Sequence, residues 1–151
     1  ARLVIAGYPV RGFDVEESLK LAEELGIRDV AVWVPEYIPS EHVVAWMQLA
    51  SVIVFPYREG ARGGAVYVAQ TYGVPTVATS VGALPDVIED GVSGLLVPSD
   101  DAQALTNAIT RLLEDEPLAQ RLGARSARDA KERSSWDEIG KTIVARMKMQ
   151  A

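Results

Sequence analysis

With 151 residues, 48% of them hydrophobic and 24% charged, the chain has room for one globular domain with a sizeable core. A net charge of −6 argues against a nucleic-acid backbone as partner. The lack of cysteine excludes disulfides and thiol chemistry, and a single histidine, His42, leaves His-based triads and His-rich metal sites without material. No apolar run reaches membrane-spanning length and no signal peptide is visible, so a cytoplasmic location is expected.

In chain order, a short apolar strand is predicted over residues 2–6, ending at Gly7, followed by a loop with Pro9 and Gly12. Residues 15–25 have helical spacing, with Leu19, Leu21, Ala22 and Leu25 on the core face and acids opposite. A second strand covers 29–34. After the loop at 35–39, Ser40 and Glu41 begin a helix whose apolar face is Val43, Val44, Met47 and Ala50. His42, on its first turn, reads as a surface residue. A strand over 51–55 stops at Pro56, and a glycine-rich turn leads to a helix over 65–72 closed by Gly73. A further strand spans 76–79. Leu84 to Ile88 suggests a short helix with Pro85 in its first turn, and 94–97 a last strand. Ser99, Asp100 and Asp101 cap a helix to about Glu114 with core residues Leu105, Ala108, Ile109, Leu112 and Leu113. A helix runs from Pro117 to about Ala130, and the basic residues Arg121, Arg125, Arg128, Lys131 and Arg133 cluster late in the chain, read as a solvated helix face. Ser134, Ser135 and Trp136 begin a closing helix. Trp33, Trp46 and Trp136 read as core or domain-contact residues.

This alternation of strand and helix means an α/β fold, a Rossmann-like parallel sheet with helices on both faces. Nothing in composition divides the chain, which reads as a single, partial domain over 1–151.

The chemistry concentrates between Phe55 and Gly82. There a strand, a glycine-rich loop, a helix and a second strand follow one another. Glycines let a backbone come close to a ligand, and a helix N-terminus offers free N–H groups and partial positive charge. A phosphate or diphosphate is the natural guest at Gly60, Gly63, Gly64 and Ala65; turn geometry alone is the other reason for glycine there. Arg58 and Arg62 flank the loop, placed to pair with phosphate or with surface acids such as Glu59. Glu59 ends the strand exit, where open α/β sheets bind ligands.

Taken together, these residues resemble the C-terminal, nucleotide-sugar-binding domain of group-1 (family 4) retaining glycosyltransferases of the GT-B fold. The resemblance rests on Ala1 to Gly7, Val34 to Glu41, Ala50 to Pro56, Glu59-Gly60, Gly73 to Thr79, Val81-Gly82, Glu89 to Pro98 and Ser135-Trp136, in family order. It implies a donor-binding half of an enzyme that moves a sugar from a nucleotide-sugar to an acceptor with retention. In that setting Glu59 is the catalytic candidate, contacting the donor sugar. Gly60, Arg62, Gly63, Gly64 and Ala65 would meet the diphosphate, and Pro35, Glu36 and Tyr37 the nucleotide base. The nucleotide-sugar is substrate; no further cofactor and no metal are expected.

Two departures from the family pattern stand out. Val68 occupies the position of a second glutamate that holds the ribose hydroxyls, and the loop carries one extra residue. The family's first strand, central in the order 3-2-1-4-5-6, and the acceptor domain have no counterpart in the sequence. A gap in the sheet is therefore expected, to be filled by the rest of a longer enzyme or by another chain, and the fragment alone is expected to be inactive. The rival reading is a non-catalytic glycosyltransferase-like binding or assembly module, which Val68 favours. A nucleotide-sugar epimerase lacks a suitably placed histidine, and a dinucleotide oxidoreductase lacks the G-x-G-x-x-G loop.

Overall fold

The computed structural model describes residues 2–8, 14–60 and 64–133. Eleven elements follow in order among them: β1 (Leu3–Ala6), α1 (Val15–Glu24), β2 (Ala31–Val34), α2 (Ser40–Leu49), β3 (Ile53–Phe55), α3 (Gly64–Thr71), β4 (Thr76–Thr79), α4 (Leu84–Val87), β5 (Leu95–Val97), α5 (Ala102–Glu114) and α6 (Glu116–Arg133). The predicted alternation is the observed one. The expected closing helix at Ser134, Ser135 and Trp136 lies outside the described residues. Among the described residues no helix is long and apolar enough to cross a membrane.

The chain forms two compact units, Ala1–Ala45 and Trp46–Ala151. In the smaller unit β1 pairs in parallel with β2, Leu3 opposite Ala31 and Ala6 opposite Val34. Asp14 caps α1, its Oδ1 accepting from the N–H groups of Glu16 at 2.8 Å and Glu17 at 3.1 Å. Ala22 and Ala31 are the buried residues here. The expected core face of α1 needs correction: Leu21 and Leu25 are exposed, at 54% and 62%. At 3.6 residues per turn, Val15, Leu19 and Ala22 form one stripe, and Leu21 with Leu25 form another about 100° round the helix. Only the first stripe carries the buried residue.

In the larger unit β3, β4 and β5 make a second parallel sheet with β4 in the middle. All four residues of β4 are buried, the pattern of a strand covered on both faces. Side chains alternate as a pleated strand requires. Ala78 packs with Phe55, Val66, Ala69, Leu84, Val87 and Ile88, a core under α3 and α4. Val77 packs with Leu95, Val97, Ala108, Leu112, Leu118 and Leu122 under α5 and α6. Thus helices cover both faces of this sheet, as expected for a doubly wound fold.

Caps set the helix limits. Asp101 Oδ1 accepts from Ala104 N–H at 2.8 Å to start α5, and Asp115 Oδ1 accepts from Leu118 N–H at 2.9 Å to start α6. Asp100 is no cap; it has φ 57° and pairs with Arg58. Leu113, expected in the core, is 48% exposed. The basic cluster of α6 is more than a solvated face. Arg125 Nε pairs with the buried Asp129 at 2.8 Å, and Arg133 Nη1 donates to the Val87 carbonyl at 3.1 Å, at the end of α4. Gln70 Nε2 donates to that same carbonyl at 2.9 Å from inside the core.

Among the described residues β1 pairs only with β2 and β3 only with β4, and the five strands form two separate sheets.

Candidate active site

The carboxyl ends of β3, β4 and β5 carry the groups with chemical potential. Pro56 ends β3 and turns the chain into Tyr57, Arg58, Glu59 and Gly60, all exposed. Gly60 has φ +69°, a left-handed conformation that disfavours any side chain, while a Cβ there would meet nothing. Dihedral angle, not crowding, explains this glycine. Four positions on, Gly64 opens α3 and Ala65 follows, both exposed, and a Cβ at Gly64 would point into open space. The first turn of a helix has N–H groups with no partner inside the helix, so this end presents donors and partial positive charge. Arg62 and Gly63 lie outside the described residues.

The strand exits are laced together. Thr79, the last residue of β4, places its buried hydroxyl 2.6 Å from the Tyr57 carbonyl oxygen and 3.3 Å from that of Phe55. Beyond Thr79, the Ser80 N–H donates to the Val97 carbonyl of β5 at 2.8 Å. Arg58 Nε lies 3.0 Å from Asp100 Oδ1, in the turn after β5. The Phe55 and Tyr57 rings lie 6.0 Å apart. These ties hold Tyr57, the residue from which the Arg58–Glu59 bend departs. Thr79 has no motif that marks it in the sequence; its only signal is a hydroxyl at the end of a central strand. Replacing Thr79 with valine keeps the volume and removes the donor, and is expected to cost about 1 kcal/mol in denaturant unfolding. An unchanged midpoint would show that the hydroxyl holds nothing.

Pro35, Glu36 and Tyr37 follow β2 in the smaller unit and are exposed, Tyr37 at 71%. Pro35 also lines an open groove of about 540 Å³ in that unit, between Val15 and Leu19 of α1 and Val32 and Trp33 of β2. The larger unit therefore brings Glu59, Gly60, Gly64 and Ala65 onto one segment, and the smaller unit carries the other three candidates. Val68 is 37% exposed on α3, away from the buried Val66, Ala69 and Gln70. Among the described residues no core cluster includes it.

A family model described as glycosyl transferases group 1 matches residues 1–129. The chain is 36% identical over 135 residues to a D-inositol 3-phosphate glycosyltransferase of Streptomyces griseus subsp. griseus, covering 89% of this chain and 28% of that protein. It superposes on sucrose-phosphate synthase from Thermosynechococcus elongatus with a TM-score of 0.82 at 26% identity, over 99% of this chain and 38% of the other. It also superposes on Anabaena HepE, crystallised with UDP, with a TM-score of 0.85 at 19% identity, over 98% of this chain and 41% of the other. The chain thus spans under half the length of these proteins. With a family match over most of its length and the α/β architecture of GT-B enzymes, the chain belongs to the group-1 glycosyl transferases.

Proposed function

We propose that this chain is the donor-binding part of a retaining glycosyltransferase that takes its sugar from a nucleoside diphosphate. The observation that carries this reading is the single segment at the β3 exit that joins an exposed carboxylate, Glu59, to the N-terminus of α3. Backbone N–H groups of Gly64 and Ala65, with Gly60, Arg62 and Gly63, receive the diphosphate. Backbone groups of Pro35, Glu36 and Tyr37 receive the base. The bond from the anomeric carbon to the diphosphate oxygen breaks, the diphosphate keeps the electron pair, and positive charge builds on the sugar. Glu59 stabilises that charge and orients the sugar hydroxyls, as carboxylates do beside oxocarbenium-like states. The acceptor oxygen bonds on the face the diphosphate leaves, and its proton passes to the departing diphosphate. The acceptor is held by polypeptide beyond this chain. UDP bound to HepE supports the nucleotide assignment, and the names of the curated relatives support sugar transfer.

Titration calorimetry of the full-length protein with UDP, GDP and ADP tests this. Saturable binding of one of them is expected, weakened at least about tenfold by Gly64→Val. A Cβ there would meet nothing within 4 Å, so the added bulk is directed at a guest at the α3 N-terminus. Failure of the folded wild-type protein to bind any nucleoside diphosphate would overturn the proposal. Such a result would favour a non-catalytic binding module, the reading that Val68, in place of a ribose-holding carboxylate, supports.

A further inference from the structure

We infer that Arg58 is a phosphate ligand of the donor site and that Asp100 holds it in reserve, giving it up when a diphosphate binds. The inference rests on the donor-site reading above and adds a residue and an exchange to it. The sequence between Ser51 and Asp101 contains two cations, Arg58 and Arg62, against six acids, Glu59, Asp86, Glu89, Asp90, Asp100 and Asp101. Within this stretch those two arginines are the side-chain cations that a diphosphate at these strand ends could meet. Arg58 is the neighbour of Glu59 at the β3 exit, and its side chain is 84% exposed.

Its partner carries an unusual backbone. Asp100 has φ 57°, the only positive φ among the described non-glycine residues. Glycine would take this conformation without cost, so what aspartate adds at this turn is a carboxylate. That carboxylate lies 3.0 Å from Arg58 Nε, 42 positions back in the chain and at the same end of the sheet. Backbone outliers concentrate where geometry serves a function. The pair itself contributes little stability, since both partners are largely exposed, Asp100 at 64%, and the ions stay solvated. An ion pair of this kind is readily exchanged. A phosphate offers Arg58 more charge than one carboxylate and a bidentate geometry that suits the guanidinium fork. Without a nucleotide, Asp100 keeps Arg58 ordered and neutralised beside the loop. With one, the guanidinium passes from carboxylate to phosphate.

The experiment is titration of the full-length protein with UDP and with uridine, for the wild type, Arg58→Gln and Asp100→Asn, each checked for an unchanged melting temperature. Arg58→Gln is expected to weaken UDP about tenfold while leaving uridine unchanged, because only the diphosphate meets the guanidinium. Asp100→Asn removes the competitor and is expected to tighten UDP about two- to fivefold, the range that an exposed ion pair commands. The tightening should fade at high salt. UDP binding at wild-type affinity in both variants would overturn the exchange while leaving the donor site standing. Weaker UDP binding in Asp100→Asn would also overturn it, making Asp100 a support for the site. No UDP, GDP or ADP binding by the wild type would instead fell the donor-site reading on which the exchange depends.

Discussion

Gly123→Val is expected to destabilise the larger unit by at least about 3 kcal/mol, because the added carbon has nowhere to go. Gly123 lies in the middle of α6, where glycine is otherwise a poor choice and alanine would add about 1 kcal/mol of helix stability. Yet a Cβ built on Gly123 overlaps the carbonyl oxygen of Gly73, and the Pro75 ring lies just beyond. Gly73 is itself held at φ +66°, where it ends α3, and a Cβ on it would meet the Gly123 carbonyl oxygen at 3.3 Å. Two backbones therefore meet with no side chain between them. The obstacle is main chain rather than a flexible side chain, so α6 must lift away. Lifting it exposes Leu118, Leu122 and Ser126, all now buried. The check is a guanidinium unfolding curve for the wild type, Gly123→Ala and Gly123→Val. Graded loss, with valine worse than alanine, is the expected result. A gain in stability for alanine, as helix propensity alone predicts, would mean that the two helices do not approach this closely.

Glu59→Gln is the second large effect, and it is expected in turnover rather than in stability. Glu59 is exposed and accepts no hydrogen bond among the described residues, so the substitution should change unfolding by no more than about 0.5 kcal/mol. The amide keeps the shape and removes the charge. If Glu59 stabilises positive charge on the transferred sugar, the rate of transfer by the full-length enzyme should fall about a hundredfold, roughly 2.7 kcal/mol of barrier. UDP affinity should change little, since the groups proposed to meet the diphosphate are its neighbours and not the Glu59 carboxylate. A rate within twofold of the wild type would remove Glu59 from the chemistry. A loss confined to UDP affinity would make it a binding residue instead.

The split between the two predictions mirrors what could be read before the fold was known. Glu59 was visible as a carboxylate at the end of a β-branched run, followed by glycines and a helical segment. The pairing of Gly73 with Gly123 was not, because nothing local distinguishes a glycine that closes a helix from one that lets two backbones touch.

By itself the sequence determined the order and kind of every described element, the parallel direction of the strands and the position of the glycine-rich loop. Strand runs, helical periodicity and caps such as Asp101 and Asp115 act over a few residues, so they are written locally. The tertiary structure decided which apolar residues are core. Leu21, Leu25 and Leu113 lie on apolar stripes yet stand exposed, while Gln70 and Ser126 are buried. It also decided that Arg58 pairs with Asp100 rather than Glu59, that Arg133 and Gln70 share the Val87 carbonyl, and that the strands divide into two sheets. The ion pair and the two hydrogen bonds are contacts between positions far apart in the chain. Periodicity says that a side chain faces inward or outward; what it meets there is set by how whole elements pack, and a hydrogen bond or ion pair forms only where that packing brings its two ends within about 3 Å.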